Sequence, residues 1–184
     1  MKTIFIINPK AGTGKNLDKR KDEITKMAAE LGVEVGFYIT KAVGDAEKFA
    51  RLVCEETKAT NPDEELRLVA CGGDGTVNEV LNGIMGYKNA VLGVVPIGTG
   101  NDFVRNIHKP IKQLVRINDY LKDLPTLTVN GEDSVFVNGA GMGVDALVCV
   151  GVNAGNNEKK SAYTMITLKS FLTYKPCDMD VEID

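Results

Sequence analysis

The sequence predicts an α/β protein, with a parallel sheet covered by helices in its first part and the start of a β-rich second domain after it. Short, almost wholly apolar runs alternate with longer segments in which apolar residues recur every three or four positions. This alternation is typical of buried parallel strands and the helices that cover them. Glycine-rich turns follow three of the apolar runs. The alternation ends after about residue 110, so we place the first domain at 1–122 and the second at 123–184.

Four strands and three helices make up the predicted sheet domain. The strands are the apolar runs at 3–7, 33–39, 66–70 and 91–95. The first helix has one apolar face, formed by Ile24, Met27, Ala28 and Leu31. The second helix begins at Asp45, and the third follows the turn at 72–76. Ligands of such sheets bind beyond the carboxyl ends of the strands, so we expect the glycine-rich turns to meet at one edge.

The second half of the chain mixes helical and strand-like patterns. A helix is predicted over 111–121, and a hairpin joins 127–129 to 135–137 through an Asn-Gly turn. Three further elements are predicted: a strand at 144–150, a helix at 165–172 and the beginning of a strand at 180–183. Because the chain ends within this pattern, we expect the second domain to be cut short.

Composition and charge exclude several classes of protein. The formal net charge is −3, which leaves no broad basic surface for nucleic acid. No apolar run approaches the ~20 residues that span a bilayer, so we expect a cytoplasmic protein with no transmembrane segment. The four cysteines lack metal-type spacing, and His108 is the one histidine, which excludes a Cys/His metal site.

The turn at 72–79 reads GGDGTVNE and carries the strongest chemical signal. Glycine lets the backbone approach a phosphate closely, and the start of the following helix favours an anion. Asp74 would repel a bare phosphate, so its presence indicates a divalent cation or a substrate hydroxyl between the two. The alternative is a tight turn in which Asp74 only caps the helix.

Two other turns carry related signals. Residues 96–105 read PIGTGNDFVR and again open a predicted helix, although Asp102 could serve only as its cap. Residues 8–15 read NPKAGTGK, which lacks the glycine spacing of a P-loop. This stretch is predicted to be either a phosphate-side loop or a plain solvated turn.

Together the motifs NPxAG, GGDGTxNE and PxGTxNDF, in this order and spacing, resemble the diacylglycerol kinase catalytic-domain family. The resemblance implies an NAD kinase/diacylglycerol kinase-like fold and transfer of the γ-phosphoryl group of ATP, with Mg²⁺, to a lipid hydroxyl. Diacylglycerol, giving phosphatidic acid, is the first choice of substrate. The resemblance implies a lipid partner at a membrane surface. Peripheral attachment to the inner membrane face and a homodimer are two further possibilities that it leaves open.

The resemblance also implies the site residues. Asp74 and Asp102 would be catalytic and would serve the metal. The residues that would bind the nucleotide are Asn8, Pro9, Lys10, Thr40, Gly72, Gly73, Gly75, Thr76, Glu79, Gly98, Thr99 and Asn101.

The sequence departs from the family pattern at two places. Pro125 stands where bacterial members carry an aspartate of a metal network, and Asp123 is two residues away. The late acidic residue proposed as general base in the family has no counterpart before Asp184. Two alternatives stay open: a soluble NAD kinase-like enzyme, because it shares the GGDG turn, and a nucleotide-binding module without catalysis, because of these two departures.

Overall fold

The computed structural model describes residues 2–12, 17–30, 32, 34–98, 100–107, 115–118, 121–154, 160–176, 178 and 180–182. The chain divides into two compact units, Met1–Asn138 and Gly139–Asp184. The division leaves the region from residue 123 to Asn138 with the sheet, so the assignment of 123–184 to a separate domain stays a prediction.

The first unit is built on a sheet of five strands in the described part of the chain. These are β1 (Lys2–Ile7), β2 (Val35–Ile39), β3 (Leu66–Gly72), β4 (Ala90–Pro96) and β5 (Val115–Arg116). Their order is β2-β1-β3-β4-β5, and the first four run parallel. Strands β1, β3 and β4 are apolar and almost wholly buried, because helices cover both faces of a parallel sheet. The predicted parallel sheet is confirmed.

The helices of this unit are α1 (Leu17–Glu30), α2 (Asp45–Thr60), α3 (Asp74–Ile84) and α4 (Asp102–Asn106). Successive residues of β1 point to opposite faces of the sheet. Ile6 packs in the cluster that contains α2 and α3, whereas Phe5 packs with Ile24 and Ala28 of α1. The predicted apolar face of α1 is confirmed at these two positions, and Leu31 lies outside the described residues.

Strand β5 corrects the helix predicted over 111–121. Val115 and Arg116 pair antiparallel with Val94 and Gly93 of β4. The Asn118 amide extends this pairing, because its Oδ1 accepts the Leu92 N–H at 2.8 Å. The apolar spacing indicated a helix, but β4 would otherwise expose unpaired backbone groups along an edge of the sheet. Residues 108–114, 119 and 120 lie outside the described part.

A hairpin of β6 (Thr126–Val129) and β7 (Glu132–Val135) forms the second, antiparallel sheet. Asn130 (φ 54°) and Gly131 (φ 82°) both adopt the left-handed conformation, which the tightest hairpin turns require at both central positions. The predicted hairpin and its turn are confirmed, with β7 beginning three residues earlier than expected.

The second unit contains two helices among its described residues, α5 (Val144–Ala154) and α6 (Lys160–Thr173). The helix predicted at 165–172 is confirmed within α6. The strand predicted at 144–150 is wrong, because a short apolar run is compatible with a helix as well as with a strand. The strand predicted from residue 180 is also wrong over 180–182, which have no regular structure. None of the helices described is long and apolar enough to cross a membrane.

Candidate functional site

Three turns are joined by backbone hydrogen bonds at the carboxyl edge of the sheet. The Asn8 N–H donates to the Cys71 carbonyl at 2.9 Å, which links the turn after β1 to the end of β3. The Gly72 carbonyl accepts the N–H groups of Ile97 at 3.0 Å and Gly98 at 3.2 Å, which links β3 to the turn after β4. The three motifs identified in the sequence therefore form one continuous surface.

These three turns touch one another through glycine backbone. A Cβ on Gly98 would lie 2.4 Å from the Cα of Gly73, and one on Gly12 would lie 2.3 Å from the Ile97 carbonyl oxygen. No side chain fits at either distance. Gly12 also has φ 74°, so both the space and the conformation require glycine there. Close approach between turns is thus one physical reason for the glycine-rich composition of this edge.

Asp74 connects the turn after β3 to the turn after β4. It is the first residue of α3, and its carboxylate accepts the N–H groups of Asp102 at 3.2 Å and Phe103 at 3.1 Å. These N–H groups open α4 and have no carbonyl partner within their own helix. Asp74 therefore caps α4 from a neighbouring turn, a role in addition to the one implied by the sequence.

Asn101 and Gly98 form a closed hydrogen-bonded ring before α4. The Asn101 Oδ1 accepts the Gly98 N–H at 3.1 Å, and its Nδ2 donates to the Gly98 carbonyl at 2.7 Å. Asn101 is buried and has φ 55°. The ring fixes the direction in which the chain enters α4.

A cleft opens beside these turns, next to the end of β2. Thr40 forms part of its wall and donates its N–H to the Ile7 carbonyl at 3.0 Å. Two other lining residues are joined by a hydrogen bond, in which the Asn8 Nδ2 donates to the Thr76 Oγ1 at 3.3 Å. The residues that line the cleft are Asn8, Pro9, Lys10, Thr40, Lys41, Ala42, Val43, Ala46, Thr76 and Glu79.

The turn between β2 and α2 is held by Asp45. Its carboxylate accepts the Lys41 N–H at 2.7 Å and the Tyr38 hydroxyl at 2.9 Å. The Lys41 hydrogen bond, followed by that of Tyr38, lowers the pKa of Asp45 below its usual value. Glu79 fastens the same turn to α3 by accepting the Ala46 N–H at 3.2 Å. This turn therefore presents a fixed wall to the cleft.

Six of the predicted nucleotide-binding residues lie on the cleft: Asn8, Pro9, Lys10, Thr40, Thr76 and Glu79. The others that are described lie on the adjoining turns after β3 and β4: Gly72, Gly73, Gly75, Gly98 and Asn101. Thr99 lies outside the described residues. Sequence reasoning missed the stretch 41–43 and Ala46, although β2 is parallel to β1 and its carboxyl end must reach the same edge.

The carboxylates of Asp74 and Asp102 both lie close to Gly100. A Cβ on Gly100 would lie 3.2 Å from the Asp74 Oδ2 and 3.4 Å from the Asp102 Oδ2. The Arg105 Nη1 lies 3.7 Å from the Asp102 Oδ1, and both side chains are exposed. The Asp74 oxygens keep acceptor capacity beyond their two backbone bonds.

This pair of carboxylates fits a magnesium ion. Mg²⁺ is usually held by one or two carboxylates together with substrate phosphates, and it keeps several waters. The described residues contain no group of three or more acidic, histidine or cysteine side chains suited to a metal, and a phosphate-dependent site does not need one. Asp74 and Asp102 are the residues that would hold the ion.

Comparison with known proteins identifies relatives of this chain. Residues 2–129 match the family model for the diacylglycerol kinase catalytic domain. The chain is 42% identical over 108 residues to a diacylglycerol kinase of Staphylococcus carnosus, covering 58% of this chain and 32% of that protein. It is 27% identical to a diacylglycerol kinase of Bacillus subtilis, covering 98% of this chain and 59% of that protein. The chain thus spans less than two thirds of either relative.

A crystal structure of a diacylglycerol kinase from Bacillus anthracis strain Sterne is also similar, with 32% identity and a TM-score of 0.44. The similarity covers 60% of this chain and 39% of that one. The family match itself extends from β1 to the end of β6, and it includes the three turns and the cleft. This chain therefore belongs to the diacylglycerol kinase catalytic-domain family.

Proposed function

We propose that this chain is the nucleotide-binding part of an ATP-dependent lipid kinase, which transfers the γ-phosphoryl group of ATP to a lipid hydroxyl. Diacylglycerol is the proposed acceptor and phosphatidic acid the product, in keeping with the names of the relatives. The observation that carries the proposal is the Asp74 carboxylate, which joins two glycine-rich turns beside the cleft. Phosphoryl transfer depends mainly on such fixed positioning and on charge stabilisation.

In the proposed mechanism the cleft holds the nucleoside and the turns hold its phosphates. Asp74 and Gly75 begin α3, where N–H groups lack intrahelical partners and the helix dipole favours an anion. Gly73 and Gly98 carry no side chain, so the backbone of these two turns could approach the phosphates closely. Asp74 and Asp102 would hold Mg²⁺, which would neutralise charge on the phosphate oxygens.

The acceptor determines where the reaction takes place. Diacylglycerol remains in the bilayer, so the proposed enzyme works as a peripheral protein at the cytoplasmic face of a membrane. A cytoplasmic location also supplies ATP and Mg²⁺ to the cleft.

A phosphate-transfer assay tests this proposal. The chain is incubated with γ-labelled ATP, Mg²⁺, NAD and phospholipid vesicles that contain diacylglycerol, and the products are partitioned between water and organic solvent. We expect label in the organic phase. Asp74→Asn should reduce this label about 100-fold or more, because it loses the negative charge that would hold Mg²⁺ against the phosphates. Asp63→Asn makes the same chemical change at an exposed residue of the α2–β3 connection and serves as the matched control.

Each other result would count against the proposal. Label in NADP would identify a soluble kinase of the alternative class. Lipid labelling that is equal in Asp74→Asn and the wild type would contradict a lipid kinase built on this turn. No transfer to either acceptor would favour the nucleotide-binding module without catalysis.

A further inference from the structure

The side chain of Arg20 on α1 is buried beneath the turn after β1. Only 6% of Arg20 is exposed. Its Nη2 donates to the Ala11 carbonyl at 2.6 Å, whereas its Nη1 is buried and has no hydrogen-bond partner among the residues that the structure describes. Buried guanidinium groups are normally paired, because an unpaired buried charge is strongly unfavourable.

The surroundings of Arg20 supply no negative charge among the residues described. None of the ion pairs found there includes Arg20. The Cys71 thiol is the neighbouring titratable group, and burial raises its pKa far above the usual value despite the opposing effect of Arg20. The thiol is therefore neutral, and no described residue compensates the guanidinium charge.

The hydrogen bond from Arg20 also fixes the orientation of one peptide group. In a trans peptide the carbonyl and the following N–H point in opposite directions. With the Ala11 carbonyl directed at buried Arg20, the Gly12 N–H points away from it, toward the outer side of the turn. The Arg20 Nη2 also lies 3.3 Å from the position of a Cβ on Gly12, so its charge is close to that peptide.

We propose that Arg20 is a positioning residue for the nucleotide phosphates: it turns the Gly12 N–H outward and gives the turn after β1 a positive charge. The inference rests on the proposed nucleotide site and extends it to a side chain behind the turn. A phosphate bound on the outer side would provide the negative charge that the buried guanidinium lacks. The ligand class is thus the phosphate chain of a nucleotide rather than its base or sugar.

Binding of two probes by the same chain tests the inference. Dissociation constants for Mg-ATP and for adenosine are measured by calorimetry for the wild type, Arg20→Met, Arg20→Lys and Lys26→Met. Lys26 is an exposed cation on the same helix, so Lys26→Met changes the net charge equally. Thermal unfolding of each variant shows whether it is folded.

We expect Arg20→Met to weaken Mg-ATP binding about 10- to 100-fold, as the loss of a charged hydrogen bond does. Adenosine binding should change less than about threefold, since adenosine carries no phosphate. Arg20→Lys should be intermediate, because it keeps the charge and one donor. Lys26→Met should bind both probes as the wild type does. A merely structural role would not distinguish the two probes.

Three outcomes would overturn the inference. Equal Mg-ATP binding by the wild type and Arg20→Met would show that Arg20 does not position the phosphates. The proposed nucleotide site itself would stand. An equal loss of Mg-ATP and adenosine binding would assign Arg20 to the stability of the turn. If the wild type binds neither probe, the proposed function fails as well. Should Arg20→Met not fold, the same comparison of probes in Arg20→Lys decides.

Discussion

Asn101 illustrates how one residue can set the geometry of the whole site. Its left-handed backbone, with φ 55° and ψ 42°, turns the chain sharply before α4. Its side chain holds both backbone groups of Gly98. The turn brings the N–H groups of Asp102 and Phe103 to the Asp74 carboxylate. A single asparagine therefore determines whether the two acidic residues lie side by side.

Two substitutions separate the backbone role of Asn101 from its side-chain role. Asn101→Gly and Asn101→Ala both lose the amide hydrogen bonds, about 1 kcal/mol each. Only alanine is strained in the left-handed region, by about 1–2 kcal/mol. We expect Asn101→Ala to lower the free energy of unfolding, measured in urea, by that additional amount. Equal destabilisation by the two variants would show that the backbone conformation is not the constraint.

At the scale of elements, the site depends on two strand-to-helix turns that touch without side chains between them. The Gly98 position is enclosed by the Gly73 backbone, whereas a Cβ on Gly75 would meet nothing within 4 Å. Glycines that are close in sequence therefore have different roles: Gly98 permits contact between turns, and Gly75 leaves the start of α3 open.

Alanine substitutions test this difference. In Gly98→Ala the new methyl group must displace backbone, so we expect the unfolding free energy to fall by about 1–3 kcal/mol, as in other overpacked sites. Gly75→Ala adds a methyl group in open space on a helix, and we expect no loss and a gain of up to about 1 kcal/mol. Thermal melting of both variants gives the comparison, and similar losses in the two would refute the contact between turns.

The turn between β2 and α2 should respond to acid through Asp45. Its pKa is lowered in the folded protein by the Lys41 N–H and the Tyr38 hydroxyl, so the folded state binds fewer protons than the unfolded state at acidic pH. This contribution to stability is complete above the unfolded-state pKa of about 3.9 and is lost as the pH falls through the lower folded-state pKa.

Melting temperatures between pH 2 and pH 6 would measure this effect. We expect Asp45→Asn to reduce the fall in melting temperature at acidic pH. Tyr38→Phe removes one of the two hydrogen bonds but keeps the ring that stacks on Phe49 at 3.7 Å, so it should reduce the fall partially. An unchanged acid profile in Asp45→Asn would show that this carboxylate does not contribute.

At the scale of the molecule, the sequence predicts the parallel sheet because apolar strands and amphipathic helices have different periods. It also predicts that the three motifs meet, since parallel strands share a carboxyl edge. Local patterns do not encode tertiary contacts. The pairing of β5 with the edge of β4 depends on such contacts, and so does the helical state of Val144–Ala154. The same is true of the cap that Asp74 supplies to α4 and of the burial of Arg20.

The hairpin is attached to the sheet domain through Asn82 of α3. The Asn82 Oδ1 accepts the Val135 N–H and its Nδ2 donates to the Val135 carbonyl, each at 2.9 Å. The side chain thus pairs with β7 as a neighbouring strand would. Pro125, at the start of the hairpin, contributes its carbonyl, which accepts the Phe136 N–H at 3.3 Å.

Replacement of Asn82 by leucine should loosen the hairpin. The Val135 N–H and carbonyl would lose their partner in a buried position, at about 1–3 kcal/mol for each unsatisfied group. We expect amides of 126–135 to exchange faster with deuterium, while those of β1 and β3 keep their protection. Thr128→Val removes an exposed hydrogen bond to Asp133 and should change little. Uniform acceleration across the chain would instead indicate global destabilisation.

The most direct test of the central claim is a chemical-shift map of the ¹⁵N-labelled chain titrated with Mg-ATP. The account predicts that one saturable event shifts amides in all three turns, within residues 8–12, 72–76 and 97–103, together with those of the cleft wall at 40–46. Amides of the hairpin turn at Asn130 and Gly131 should stay unchanged. Shifts confined to another surface, or no saturable shift at these turns, would contradict a nucleotide site at the carboxyl edge of the sheet.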